Sequence, residues 1–272
     1  MGRIERAFAD ARARGRKVLV AYLCVGDPSV DESIALALAC AEAGADVLEL
    51  GSPFSDPTAD GPAIARASER ALARGGGLDA TLRAARAIRA RSEVPLVLFG
   101  YANPLYVRGE AAAIADAAEA GVDALLVVDL PLDEGEVIRA AARDRGLAIV
   151  PLVAPTSRPS RAEEILAAIS SPGFVYYVSV AGVTGSHGAS LEDASARAAE
   201  WRARTGLPTV VGFGVDSPDK ARAAASAVDG CVVGTAIVLA IEDAGTPEDR
   251  LARVRGIVAG MRAALDTAWP AR

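Results

Sequence analysis

Eight short runs of aliphatic and β-branched residues recur along the chain, at 17–25, 46–51, 95–101, 123–129, 147–153, 173–179, 208–214 and 229–234. Between them, apolar residues return with helical period in Ala-, Arg- and Glu-rich stretches at 31–43, 62–92, 109–120, 133–145, 160–170, 190–204, 217–227 and 246–267. The runs are continuously apolar rather than alternating, which predicts parallel strands covered by helices. Helix starts are expected at Asp31 before Glu32 and Ser33, at Ser160 ahead of Glu163, and at Ser217-Pro218-Asp219. Helix stops are expected at Gly44, Gly121, Gly146 and Gly206. Eight strand–helix units plus a helix at 2–14 predict an α/β fold, a single (β/α)8 TIM barrel over residues 1–272 with an extra N-terminal helix. A doubly wound open sheet would carry fewer strands and a glycine-rich first turn, which Val25-Gly26-Asp27-Pro28 is not.

Composition removes whole classes of chemistry. No run approaches the roughly 18 unbroken apolar residues of a membrane span, and the N-terminus lacks the apolar core of a signal peptide. Cys24, Cys40 and Cys231 lie in apolar runs and read as reduced, buried thiols of a cytosolic protein. Net charge is −6 with no basic cluster, which argues against nucleic acid as a partner. The chain has one histidine, His187, and two lysines, Lys17 and Lys220. A metal site built on two or three histidines is therefore excluded. A Schiff-base lysine is disfavoured, because Lys17 opens the first strand at the wrong end of a barrel and Lys220 falls in a predicted helix. His187 reads as an exposed loop residue. Cys24 has no adjacent histidine to make it a thiolate.

Carboxylates remain. The apolar run ending at Leu50 carries Glu49, and the loop after it brings Asp56 and Asp60. A buried carboxylate usually has a partner or a task; the plain alternative is an arginine partner inside the barrel. In a barrel every strand delivers its C-terminal end to one face. That face would collect Tyr22, Cys24 and Asp27, then Glu49 and Asp60, then Phe99, Tyr101 and Asn103, then Asp129, and then Tyr176 and Ser179. Ala181-Gly182-Val183-Thr184-Gly185, Gly212-Phe213-Gly214 and Gly234-Thr235-Ala236 follow strands six, seven and eight. Backbone amides there, with a helix N-terminus, suit a phosphate without any lysine or arginine.

These residues resemble the tryptophan synthase alpha chain family. The carrying motif is Leu48-Glu49-Leu50-Gly51, Pro53-Phe54-Ser55-Asp56-Pro57 and Ala59-Asp60-Gly61-Pro62. Gly26-Asp27-Pro28, Tyr101-Ala102-Asn103-Pro104, Ala181 to Gly185 and Gly212-Phe213-Gly214 match in the same order, over the whole chain. The resemblance implies retro-aldol cleavage of indole-3-glycerol phosphate to indole and glyceraldehyde 3-phosphate, with no cofactor. It implies Glu49 as general acid–base, Asp60 as helping to protonate indole C3 and stabilise charge on the ring nitrogen, and Tyr176 as assisting. Substrate would contact Tyr22, Phe99, Tyr101, Thr184, Gly185, Gly212, Phe213, Gly214, Gly234 and Thr235, under a lid at 182–190. A pyridoxal-phosphate beta chain would dock on Ser55, Asp56, Pro57, Asn103 and Pro104 in an αββα assembly. Cys24, Ser52, Thr58, Ala65 and Val180 depart from the family's common residues, and none belongs to the acid–base pair. The competing readings are another phosphate-binding barrel enzyme, such as a sugar-phosphate isomerase, and a barrel kept as a partner-binding subunit.

Overall fold

The apolar runs form parallel strands of one sheet. The computed structural model describes residues 1–131, 134–168, 173–178 and 190–266. Its first half contains α1 (Arg3–Ala13), β1 (Val18–Cys24), α2 (Val30–Glu42), β2 (Val47–Gly51), α3 (Pro62–Leu72), α4 (Leu78–Arg89), β3 (Leu96–Gly100), α5 (Ala102–Arg108), α6 (Glu110–Glu119) and β4 (Ala124–Val127). The second half contains α7 (Glu136–Asp144), β5 (Ala148–Ile149), β6 (Leu152–Val153), α8 (Arg161–Ala168), β7 (Val175–Val178) and α9 (Leu191–Thr205). It ends with β8 (Thr209–Gly212), α10 (Pro218–Ala224), β9 (Gly230–Val233), α11 (Thr235–Glu242) and α12 (Pro247–Leu265).

The hydrogen-bonded order is β5-β4-β3-β2-β1-β9-β8-β7-β6. β5 and β6 are two pieces of one predicted strand, so the two ends of this order meet and a ring of eight positions closes. The break has a cause. Pro151 has no N–H to give a ladder. Val150 N still donates to Leu125 O on one side at 2.9 Å, while Pro151 O accepts from Tyr176 N on the other at 3.0 Å.

Alternate strand residues fill two layers. Val18, Val20, Val47, Val97, Leu126, Val150, Phe174, Val210 and Val232 point into the barrel, and α1 plugs its lower mouth with Ile4, Phe8 and Ala11. Phe8 packs on Phe174 with ring centroids 5.5 Å apart. The other strand face packs against the helices, with Leu19, Leu48, Leu50, Leu96, Leu98 and Leu125 in that layer. This is the parallel, doubly covered sheet that continuous apolar runs predict.

Several local expectations are corrected. The stretch 62–92 is two helices, because Gly75 and Gly77 adopt φ of 78° and 146°, which a helix cannot hold. The second helix starts at Ser29 rather than Asp31, since the Ser29 hydroxyl accepts from Glu32 N at 3.2 Å. Ser217 does cap its helix, accepting from Lys220 N. α5 was not expected, and it puts Asn103 and Pro104 in a helix rather than a strand-end loop. Among the described residues, no helix is long and apolar enough to cross a membrane.

The lower rim carries a repeated clamp. An aspartate immediately precedes β2, β4 and β9, and each accepts a backbone N–H from the neighbouring strand. Asp46 takes Leu19 N at 2.9 Å, Asp123 takes Leu96 N at 2.8 Å, and Asp229 takes Thr209 N at 3.0 Å. Arginines complete each one, as Arg16 and Arg262 do for Asp46 at 2.6 and 2.8 Å.

Candidate active site

The barrel interior opens at its upper end into a cavity of about 440 Å³, within the usual size of a small-molecule site. Tyr22 from β1, Glu49 from β2, Phe99 from β3 and Tyr176 from β7 form its floor and walls. The register sets Tyr22 beside Glu49 and Glu49 beside Val97, so the carboxyl belongs to an inward-facing layer. Tyr22 meets Phe99 edge-on, with centroids 5.1 Å apart. Phe213, Gly214, Gly234 and Thr235 line the opposite side, and Gly61, Pro62 and Arg66 close the rim.

Glu49 is 1% exposed, and its Oε1 has no hydrogen-bond partner. The arginine partner that a purely structural carboxylate would have is not there. The contrast is Asp46, three residues earlier, whose largely covered carboxylate is paired with Arg16, Arg262 and Leu19 N. Loss of solvent raises the Glu49 carboxyl from 4.5 to about 8. Asp60 is half-buried; burial raises it from 3.8 to about 6, and a hydrogen bond from Tyr101 opposes the rise. Near neutral pH, then, Glu49 is mostly the acid and Asp60 mostly the carboxylate. Burial also holds the Tyr22 and Tyr176 phenols protonated.

Asp60 lies at the edge of the cavity, immediately before the lining residues Gly61 to Ile64. Tyr101 Oη accepts from Ala59 N at 3.1 Å, which ties the Asp60 loop to the end of β3, and the Tyr101 ring stacks near Phe54 at 5.1 Å. Gly212 is off the wall, and its role is steric. A Cβ there would sit inside the Tyr176 ring, as a Cβ at Gly51 would meet Tyr22 Cζ at 2.7 Å. The two glycines clear space for the two tyrosines. Phe213 has φ of 98°, the one non-glycine with positive φ among the described residues. Such strain gathers at functional sites, and it turns the chain so that Gly214, at φ 75°, faces the cavity.

Three of the residues expected at a phosphate line one side of the cavity. Gly214, Gly234 and Thr235 converge, and the first turn of α11 has no side-chain cap on its amides. Arg66 lines the same cavity, which the sequence did not suggest, but its guanidinium is engaged by Glu242 at 2.9 and 2.8 Å. Thr184, Gly185, Ser179, Val180, His187 and the 182–189 part of the expected lid lie outside the described residues. Cys24 lies in the packed layer under α3, 3.8 Å from Ser68 Oγ, and burial pushes its thiol up to about 12. Lys220 pairs with Asp216 at 2.6 Å, and Lys17 is buried at the lower rim, so neither reaches the cavity. Among the described residues no three His, Cys, Asp or Glu side chains group as metal ligands. Ser55, Asp56 and Asn103 are exposed and Pro57 and Pro104 half-buried on the upper face.

The chain matches the family model of the tryptophan synthase alpha chain over residues 8–266. It is 47% identical over 238 residues to the tryptophan synthase alpha chain of Citrifermentans bemidjiense, covering 88% of each. It is 44% identical over 268 residues to that of Xanthomonas euvesicatoria, covering 98% of this chain and 99% of the other. The crystal structure of tryptophan synthase subunit alpha from Legionella pneumophila superposes with a TM-score of 0.89 at 35% identity, over 98% of this chain and 99% of that one. The chain belongs to the tryptophan synthase alpha chain family, the lyases that cleave indole-3-glycerol phosphate in tryptophan biosynthesis.

Proposed function

We propose that Glu49 and Asp60 divide the proton transfers of the retro-aldol cleavage according to their ionisation. Breaking the bond between indole C3 and the glycerol chain needs an electron sink, which the ring supplies once C3 is protonated. Glu49, neutral at pH 7, donates that proton. Asp60, ionised at pH 7, holds the positive charge that develops at the ring N–H. The Glu49 carboxylate left behind takes the proton of the glycerol hydroxyl as the C–C bond breaks, the carbonyl of glyceraldehyde 3-phosphate forms, and the bond electrons return to the ring. Glu49 ends protonated, as it began. The sequence reading gave Asp60 a share of C3 protonation; the order of the two ionisations favours Glu49 for it. Tyr176, a neutral phenol beside Glu49, donates a hydrogen bond to the departing oxygen.

The phosphate is held by the amides of Gly214, Gly234 and Thr235 and by the N-terminus of α11; Thr184 and Gly185 complete the cradle in this reading, beneath the 182–190 lid. Tyr22 and Phe99 flank the indole. The reaction needs no cofactor, since each proton has a named carrier.

The family partners with a beta chain. On this chain we assign the docking face to Ser55, Asp56, Pro57, Asn103 and Pro104, in an αββα assembly. Ser55 Oγ bonds Asp56 Oδ2 at 2.7 Å, and Tyr101 links this loop to the start of α5. A partner resting there would press on the segment that carries Asp60.

The observation that carries the reading is the buried Glu49 with an unpaired oxygen at a cavity wall. The test is indole release from indole-3-glycerol phosphate by the purified chain, with and without a beta chain, for the wild type and Glu49→Gln. Loss of release on substitution is expected. Equal release by both would overturn the assignment of Glu49.

A further inference from the structure

Two helices begin at the cavity. α3 starts at Pro62, two residues after Asp60, and α11 starts at Thr235 on the glycine side. They pack side by side, and four charges join them, running from Arg66 at the cavity rim to Asp27. Arg66 forks both oxygens of Glu242, at 2.9 and 2.8 Å. Arg70, one turn further on, reaches Glu242 at 2.7 Å with Nη1. It forks Asp27 with Nε and Nη2 at 2.9 and 2.7 Å. Asp27 is 3% exposed in the loop between β1 and α2. The arginines hold the Glu242 carboxyl down at about 2. No proton transfer above uses these groups.

We propose that the Asp27–Arg70–Glu242–Arg66 array is a positioning strut that fixes the start of α3, and with it Asp60, relative to the helix that receives the substrate phosphate. The proposal rests on the phosphate reading given above. Asp60 has two supports. Tyr101 holds its loop from the β3 side, while Ser55, Asp56, Thr58 and Ala59 are exposed. α3 holds it from the other side, and helices move as rigid bodies. An anion that draws in the first turn of α11 therefore moves α3 through Glu242, and coupling of this kind is reciprocal. Arg70 suits the task because a planar fork serves two carboxylates at once, which a lysine ammonium cannot reproduce. Arg66 and Arg70 are positioning residues; none of the four is assigned contact with the reacting atoms.

Glu242→Gln keeps the side chain's shape and removes its charge. In the wild type, glycerol 3-phosphate is expected to slow amide hydrogen exchange both at 235–238 and at 59–64. In the variant it should slow exchange at 235–238 alone, kcat for indole-3-glycerol phosphate should fall about tenfold, and KM should change much less. Merely local loosening would raise exchange with and without ligand and leave the ligand's effect at 59–64. Wild-type kcat together with retained protection at 59–64 overturns the strut. If the wild type shows no protection at 235–238, the phosphate reading fails, and the strut with it. If the wild type is protected but releases no indole, the catalytic reading alone fails. Should Glu242→Gln not fold, the same measurements on Arg70→Lys decide, with the same outcomes.

Discussion

Replacing Glu49 by glutamine should make the protein more stable at alkaline pH while abolishing its chemistry. The carboxyl titrates at 4.5 when exposed and near 8 in the folded chain. Folded protein therefore binds more protons than unfolded protein between those values, and wild-type stability falls as pH rises through that window. Below about pH 4.5 Glu49 is neutral in both states and costs nothing. Above about pH 8 it is ionised in both, and the full cost of burying the charge is present. At 1.36 kcal/mol per pH unit the window is worth about 5 kcal/mol. Glutamine cannot ionise. It brings a buried amide costing about 1–3 kcal/mol, but that cost does not depend on pH. The raised Asp60 contributes its own decline between pH 4 and 6, common to both proteins. The observable is thus the difference between variant and wild type, measured by urea melts at pH 5, 7 and 9. Between pH 5 and pH 9 it should move by about 4 kcal/mol in favour of Glu49→Gln, while indole release drops roughly 10²–10⁴-fold. A difference flat to within about 1 kcal/mol across pH 5–9 would refute the claim that burial holds Glu49 neutral.

The pair also fixes the rate profile: kcat/KM should rise through an apparent value near 6 and fall through one near 8, and Asp60→Asn should erase the acid limb along with most of the activity. Gly212→Ala puts a methyl into the Tyr176 ring and should cost roughly 10² in kcat/KM with the fold kept by circular dichroism. Gly245→Ala, which meets open space, should be neutral, and equal behaviour of the two would remove the steric role of Gly212. Asp56→Ala should weaken stimulation by a beta chain, in a titration of indole release, more than it weakens the isolated chain; unchanged stimulation would take Asp56 out of the docking face.

What could be read in advance followed from period and chemistry. Continuous apolar runs spaced by helical stretches specify a covered parallel sheet, and closure of that sheet fixes which strand ends share a face. Glu49 stood out because an apolar run seldom carries a carboxylate. What escaped reading depends on contacts between distant residues. Arg70 and Glu242 are 172 positions apart, and each alone looks like a charge on a solvated helix face. Gly212 read as a phosphate contact, because a sequence does not disclose that a tyrosine ring fills the space over it. The split of the fifth strand was written in Pro151, yet its two neighbours on either side had to be known before the hand-over of hydrogen bonds made sense.

The distribution of carboxylates explains how the fold tolerates an unpaired buried acid. At the lower rim, Asp46, Asp123 and Asp229 each bond a neighbouring strand's amide and at least one arginine, as Asp123 does with Arg3 at 3.1 Å and Arg89 at 2.8 Å. A carboxylate that accepts charged and backbone donors stitches adjacent strands together. Glu49 and Asp60, at the upper end, lack such partners and are raised instead. The barrel thus separates the two uses of one functional group along its axis. Adding an arginine within reach of Glu49 would convert it to the lower kind: its carboxyl would fall toward the ordinary range, the alkaline decline in stability would shrink, and the proton for indole C3 would be missing at neutral pH. Stability and catalysis make opposite demands on that one carboxyl, and the empty coordination of its Oε1 is the form in which the structure meets the second demand.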